Sequence, residues 1–131
     1  MLFQDALREV CAHSELIRAM DGQDLMEVLR VKVPPSPEVI FLDLNMPRKN
    51  GFECLMEIRR MEKFRHIPII IFSTSSQPDI VNKVYQNGAS FYLPKPNSYS
   101  KLKRSIATVL SINWDDFKGQ PSRDRFILGQ A

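Results

Sequence analysis

An α/β fold, a doubly wound parallel sheet with helices on both faces, is predicted by three observations. Apolar runs at 39–42 and 69–72, with a third strand at 90–93, lack the polar alternation of half-exposed strands and suit strands buried on both faces. Segments with apolar residues at helical spacing separate these runs. The chain has 131 residues, against roughly 150 for a typical domain, so one sheet and one core are expected. Sheets of this kind bind ligands at the carboxyl ends of their strands, and chemistry is expected there.

Each element follows from its residues. Leu2, Phe3, Ala6, Leu7 and Val10 recur at helical spacing and predict a first helix. Leu16 to Met20 reads as a short strand ending at the Asp21-Gly22 turn, and Leu25, Val28 and Leu29 mark the next helix. Val33 to Pro37 is a proline-rich loop that no helix can cross. The strand Val39 to Leu42 stops abruptly at Asp43. After a loop containing Pro47 and Gly51, the residues Phe52, Leu55, Met56 and Ile58 predict a helix that ends before Pro68. The strand Ile69 to Phe72 stops at Ser73-Thr74-Ser75-Ser76. Ser76 is expected to cap the following helix, with Pro78 in its first turn, Ile80, Val81, Val84 and Tyr85 on its apolar face, and Asn87-Gly88 as a left-handed stop. The strand Ser90 to Leu93 is closed by Pro94-Lys95-Pro96, and a last helix from Ser98 to Ser111 buries Leu102, Ile106, Val109 and Leu110.

Composition narrows the function classes. At 44% apolar and 25% charged residues the chain is an ordinary globular protein, and no apolar run approaches the roughly 20 residues of a membrane span. The amphipathic N-terminus MLFQDALREV carries acids, unlike a signal peptide, so a cytoplasmic protein without a membrane partner is expected. Eighteen Lys and Arg against fifteen Asp and Glu give a net charge of +3, and the basic residues are scattered apart from Lys101, Lys103 and Arg104. A nucleic-acid partner is therefore not expected. Cys11 and Cys54 fall within helical patterns and read as buried reduced thiols, and the absence of a Cys/His cluster argues against a structural zinc site. Trp114, Phe117, Phe126, Ile127 and Leu128 make residues 112–131 too apolar for a linker, and an arm packed on the body is the favoured reading over a dedicated partner-binding segment.

Three successive strand ends deliver Asp43, Ser73 and Lys95. Singly, each has an ordinary explanation: a helix-capping acid, a capping hydroxyl, a solvated lysine. Together they suit a phosphoryl group, which the carboxylate attacks while hydroxyl and ammonium neutralise charge on the equatorial oxygens.

The segment VIFLDLNMPRKNG, residues 39 to 51, closely resembles the phosphoacceptor segment of the two-component response-regulator receiver family. The family pattern D-x-x-M-P-x-x-x-G is matched by Asp43, Met46, Pro47 and Gly51. The family hydroxyl and lysine lie 30 and 52 residues beyond the phosphoacceptor, which selects Ser73 and Lys95, and its aromatic switch position holds Tyr92. The resemblance covers residues 1–111 and implies a flavodoxin-like receiver fold with strand order 2-1-3-4-5. It also implies that Asp43 takes a phosphoryl group from a histidine kinase or phosphotransfer protein, that Ser73 and Lys95 bind that group, and that the Lys95-Pro96 peptide is cis. Ser73 and Tyr92 would form the switch, and a downstream protein target would read it.

One departure from the family pattern carries consequences. Receiver domains begin with a strand ending in an acidic pair that helps to hold a divalent ion, whereas this sequence opens directly on the first helix, and Asp5 and Glu9 read as solvated charges. Four strands rather than five are expected. Magnesium would be left with Asp43 and the main-chain carbonyl of Asn45, a weak or absent site, so impaired phosphorylation is expected. The missing strand would open a central edge between the strands at 16–20 and 39–43, and a homo-oligomer that shares the first helix or an edge strand is the expected remedy. The tail around Phe126 to Leu128 is the second candidate for covering that gap. A phosphorylation-independent pseudo-receiver is the alternative function. A phosphatase of the haloacid-dehalogenase type is remote, because Asn45 stands where those enzymes need a second Asp, and an amide cannot shuttle that proton. The chain is therefore read as a signalling module and not as an enzyme.

Overall fold

The computed structural model describes residues 2–11, 21–32, 39–44, 50–75, 77–112, 114 and 120–128. Among the described residues the α-helices and strands run in the order α1 (Leu2–Val10), α2 (Gly22–Lys32), β1 (Ile40–Leu42), α3 (Gly51–Arg60), β2 (Ile69–Ser73), α4 (Pro78–Gln86), β3 (Phe91–Pro94) and α5 (Tyr99–Ser111), followed by a 3-10 turn at Arg123–Arg125. The fold is α/β with a parallel sheet, and among the described residues its strand order is β1-β2-β3. Ile40 is in register with Ile69 and Leu42 with Ile71, while Ile70 pairs with Phe91 and Ser73 with Pro94. The expected strand at 16–20, the loop at 33–37, and Asn45, Met46, Pro47, Ser76 and Phe117 lie outside the described residues.

The alternation of a strand divides β2 between two cores. Ile69 and Ile71 pack with Met26 and Leu29 of α2, Cys54, Leu55 and Ile58 of α3, and Val81 and Val84 of α4. Ile70 faces the other way, with Phe91, Leu93 and Val109 of α5. Such burial on both faces is what a continuous isoleucine run suits.

Local chemistry sets the ends of the elements. Asn50 caps α3 by accepting from the Glu53 amide at 2.9 Å, and Ser98 caps α5 by accepting from the Lys101 amide at 3.2 Å. At α4 the N-cap is Gln77, one residue later than a Ser76 cap would place it, and it makes no side-chain cap bond. Proline in the first turn needs no partner for an N–H, which relaxes the demand for a cap there. β3 starts at Phe91 rather than Ser90, and the Ser90 hydroxyl accepts from the Ile69 amide at 3.1 Å. Gly88, at φ +96°, makes the left-handed stop after α4.

Helix α1 finds its partners within the same chain. Ala6 and Leu7 are buried against Leu102 and Ile106 of α5, and the Phe3 ring lies edge-on to Phe41 and Phe72, with centroids at 5.0 and 5.7 Å. The expectation that this apolar face requires a second chain is corrected to that extent: α5 and the sheet rings already cover it. Glu9 is likewise not merely a solvated charge. It accepts from the Tyr99 hydroxyl at 2.5 Å and lies 3.4 Å from the Lys103 ammonium, tying α1 to α5.

The Tyr99 hydroxyl bond to Glu9 pushes the phenol up to about 12 and holds the Glu9 carboxyl below its ordinary value. A raised folded-state phenol contributes stability that is complete below its unfolded value near 10 and is lost as pH rises through about 12. Glu9, depressed on folding, contributes above its unfolded value and loses that contribution as pH falls through its folded one. In a ring-carbon NMR titration, Tyr99 of the Glu9→Gln variant is expected to ionise closer to 10. An unchanged Tyr99 titration would contradict this contact.

The C-terminal segment corrects another expectation. The Tyr92 amide donates to the Phe126 carbonyl at 3.0 Å, and the Leu128 amide donates to the Tyr92 carbonyl at 2.8 Å, giving a parallel bridge between Tyr92 and Ile127. This is the edge of β3 remote from β2, so Phe126 to Leu128 do not lie beside β1, where the sequence reading expects them as the second candidate. The outer edge of β3 offers main-chain groups that need partners, and the segment supplies them. Farther along that flank, the Trp114 ring lies edge-on to Phe91 at 5.9 Å. Both cysteines are reduced thiols; Cys54 is buried, whereas Cys11 is only half-buried. No helix among the described residues is long and apolar enough to cross a membrane.

Candidate functional site

Three parallel strands side by side bring their carboxyl ends to one rim, and the residues there are those at which the apolar runs stop. Asp43 directly follows β1, Ser73 is the last residue of β2, and Lys95 directly follows β3. The Lys95 amide donates to the Ser73 carbonyl at 2.9 Å, which extends the ladder by one step and aims the lysine side chain back across the rim. Its ammonium lies 2.6 Å from Asp43 Oδ2 and 5.5 Å from the Phe72 ring centroid.

The Asp43 and Lys95 side chains are each 32% exposed, so this ion pair stays in contact with water. An exposed pair contributes about 0–1 kcal/mol to stability, and its value here is positional: the ammonium holds one carboxylate oxygen in a defined place. Ser73 is 1% exposed, and its hydroxyl accepts from the Ser75 amide at 3.2 Å, leaving the O–H to serve as donor.

Gly51 fixes the approach of α3 to this rim. A Cβ built there would lie 2.1 Å from the Asp43 carbonyl oxygen and 2.8 Å from Leu44 Cα, so only glycine lets the helix start against the Asp43 main chain. The Gly51 amide donates to the Leu44 carbonyl at 3.1 Å and closes the loop.

Tyr92 is fully buried at the heart of β3. Its hydroxyl donates to the Ser75 carbonyl. Ser75 thereby joins Tyr92 to Ser73, a role the sequence reading missed; its only sequence signal is a place two residues after the strand-terminal serine. The ring also contacts Phe126, with centroids 6.3 Å apart.

Magnesium fits the described residues poorly. No group of three or more His, Cys, Asp or Glu side chains placed to hold a metal occurs among them, and Asn45 lies outside them. Asp43 is one carboxylate, already paired with Lys95. What the rim offers is a nucleophilic carboxylate with a cation and a hydroxyl on neighbouring strand ends.

Comparison with known proteins shows the family and the fold. The family model described as the response regulator receiver domain matches residues 1–107. The chain is 32% identical over 114 residues to the response regulator Rcp1 of Synechocystis, covering 84% of this chain and 78% of that protein. It is 34% identical over 92 residues to a probable methanogenesis regulatory protein, FilR2, of Methanothrix harundinacea, covering 68% of this chain and 59% of that protein. Among solved structures, the Mn(2+)-bound form of Rcp1 superposes with a TM-score of 0.73 at 28% identity, covering 91% of each chain. The phosphorylated cyanobacterial phytochrome response regulator RcpA gives 0.76 at 30% identity, covering 92% of this chain and 89% of that one.

Proposed function

The chain belongs to the response regulator receiver family, a family of two-component signalling modules, and from that premise we propose that Asp43 accepts a phosphoryl group from a histidine kinase or phosphotransfer protein. An Asp43 carboxylate oxygen attacks phosphorus, the bond from phosphorus to the donor nitrogen breaks, and the imidazole leaves with its electron pair and takes up a proton. The product is a mixed anhydride on Asp43. Lys95 turns from the carboxylate to the phosphoryl oxygens, and the Ser73 hydroxyl donates to another. The observation that carries this reading is the 2.6 Å contact between the Lys95 ammonium and Asp43 Oδ2, with Ser73 on the strand end between them.

Under this proposal Ser73 and Tyr92 transmit the change to a downstream protein target, and the Lys95-Pro96 peptide is cis. Phosphorylation is impaired in a polypeptide of this sequence, because a weak magnesium site forgoes charge stabilisation worth several kcal/mol. The second reading is a phosphorylation-independent interaction domain, in which Asp43 and Lys95 remain a structural ion pair. Self-association is also part of the proposal, as the missing first strand of the family pattern leads one to expect.

Incubation with phosphoramidate and magnesium, followed by intact-mass measurement, is expected to label a minor fraction of the wild-type chain and none of the Asp43→Asn variant. Equal labelling of the two would remove Asp43 as the acceptor, and rapid complete labelling of the wild type would remove the impairment. Wild type that takes up no label would favour the phosphorylation-independent reading, and sustained release of free phosphate would favour a phosphatase. Light scattering on the same sample reads self-association directly.

A further inference from the structure

Residues 120–128 are built onto the aromatic residue that the proposed switch uses. Phe126 is 0% exposed and sits between two rings, with its centroid 4.9 Å from Tyr85 and 6.3 Å from Tyr92. The main chain from Phe126 to Leu128 takes both the N–H and the C=O of Tyr92, with the Phe126 carbonyl accepting and the Leu128 amide donating. An outward swing of the Tyr92 ring would have to displace Phe126, because ring and backbone are held by the same three residues.

From Phe126 the contacts continue to the phosphoryl rim. Tyr92 donates through its hydroxyl to the Ser75 carbonyl, and the Ser75 amide donates to Ser73 Oγ. We propose that Phe126 is a positioning residue for Tyr92: docking of the 120–128 arm on the outer edge of β3 keeps that ring inward and the Ser75 hook in place beside Ser73. The two-state element is the Tyr92 ring, inward with the arm docked and free to turn outward with it released. The coupling of this device to phosphate rests on the receiver reading above. By linkage, a docked arm favours phosphoryl uptake at Asp43 by the same factor as phosphorylation favours docking.

The arm is anchored by groups that touch neither Tyr92 nor the rim. Gln120 Nε2 donates to the Tyr85 and Ala89 carbonyls at 2.6 and 2.7 Å, and Arg123 Nε donates to Asn82 Oδ1 at 2.7 Å. The Tyr85 hydroxyl donates to the Pro121 carbonyl at 2.8 Å. Both anchoring side chains emanate from partly or fully exposed residues, so removing them loosens the arm without opening the core.

The test uses the full chain carrying 3-fluorotyrosine, whose three tyrosines each give a fluorine resonance assignable by Tyr→Phe replacement. Two variants are compared with the wild type: Phe126→Leu, which keeps the site apolar, and Gln120→Ala combined with Arg123→Ala. Tyr99, on the far side of the sheet, reports that each variant is folded. The expected result is a displaced or broadened Tyr92 resonance in both variants with Tyr99 unmoved. The equilibrium ratio of phosphorylated to free Asp43 reached with phosphoramidate is expected to be about fivefold to tenfold lower in the double variant, at the low end of typical couplings. An unmoved Tyr92 resonance in both folded variants would overturn the positioning role, and a displaced resonance with unchanged labelling would overturn the coupling. Absence of any Asp43 labelling in the wild type would instead overturn the receiver chemistry, while the fluorine resonance, read without phosphate, decides the positioning role by itself.

Discussion

Replacing Gly51 by alanine is expected to cost about 3 kcal/mol or more of folding stability, a large share of the roughly 5–15 kcal/mol a domain has. The added methyl would meet the Asp43 carbonyl oxygen at 2.1 Å, with the Asp43 carbonyl carbon and Leu44 Cα both at 2.8 Å. All three are main-chain atoms, so no rotamer change relieves the clash. Either α3 moves away from the rim or the Asp43 main chain does, and in the second case the carboxylate leaves its place beside the Lys95 ammonium. Urea denaturation measures the loss, and intact-mass labelling of the folded fraction shows whether Asp43 still reacts. Asn50→Ala, which removes only the α3 cap, is the control and is expected to cost about 1 kcal/mol. A Gly51→Ala protein within about 1 kcal/mol of the wild type would mean that α3 does not start against Asp43.

The second large effect is expected at Arg59, far from the rim. Its Nε donates to the Gly88 carbonyl at 2.7 Å, and Nη1 donates to the Ile67 and Arg65 carbonyls at 2.7 and 3.0 Å. One guanidinium thus binds the turn that precedes β2 to the turn that precedes β3. Burial lowers its pKa from the ordinary value, yet a guanidinium remains protonated at any working pH. Methionine would fill much of the volume while donating nothing, leaving the carbonyls of half-buried Gly88 and buried Ile67 without this partner. Charged hydrogen bonds of this kind contribute about 1.5–3 kcal/mol each, so Arg59→Met is expected to lose about 2–4 kcal/mol in urea denaturation. Arg59→Lys, with one compact ammonium in place of the planar fork, should recover only part of the loss. Asp43 labelling per folded molecule should be unaffected, since the brace ties the amino ends of the strands and the chemistry lies at their carboxyl ends. A loss under about 1 kcal/mol for Arg59→Met would show that the turns hold without the brace.

Much of the fold was legible in the sequence because its signals are local. A continuous apolar run that starts after Pro68 and stops at Ser73 suits a strand buried between two layers, and each helix announced its apolar face within a few turns. The gathering of Asp43, Ser73 and Lys95 at one rim was legible for a related reason: once the strands are parallel neighbours, the residues at which they stop must share an edge.

The rest was decided by tertiary packing, between residues whose partners no local pattern names. Glu9 and Tyr99 are 90 positions apart, and only the seating of α1 on α5 turns a surface acid into a hydrogen-bond acceptor. Gly51 is a family-pattern residue in the sequence, but the contact that forbids a side chain there exists only once α3 has folded back on Asp43. The aromatic residues near the C-terminus announced that they would be buried without saying where. Phe126 went to the outer edge of β3 because main-chain groups and two tyrosine rings stood ready there, whereas the gap beside β1 was the place inferred from strand order. Periodicity tells a residue which way to face; which surface it meets depends on the edges and hollows left when all the other elements have packed.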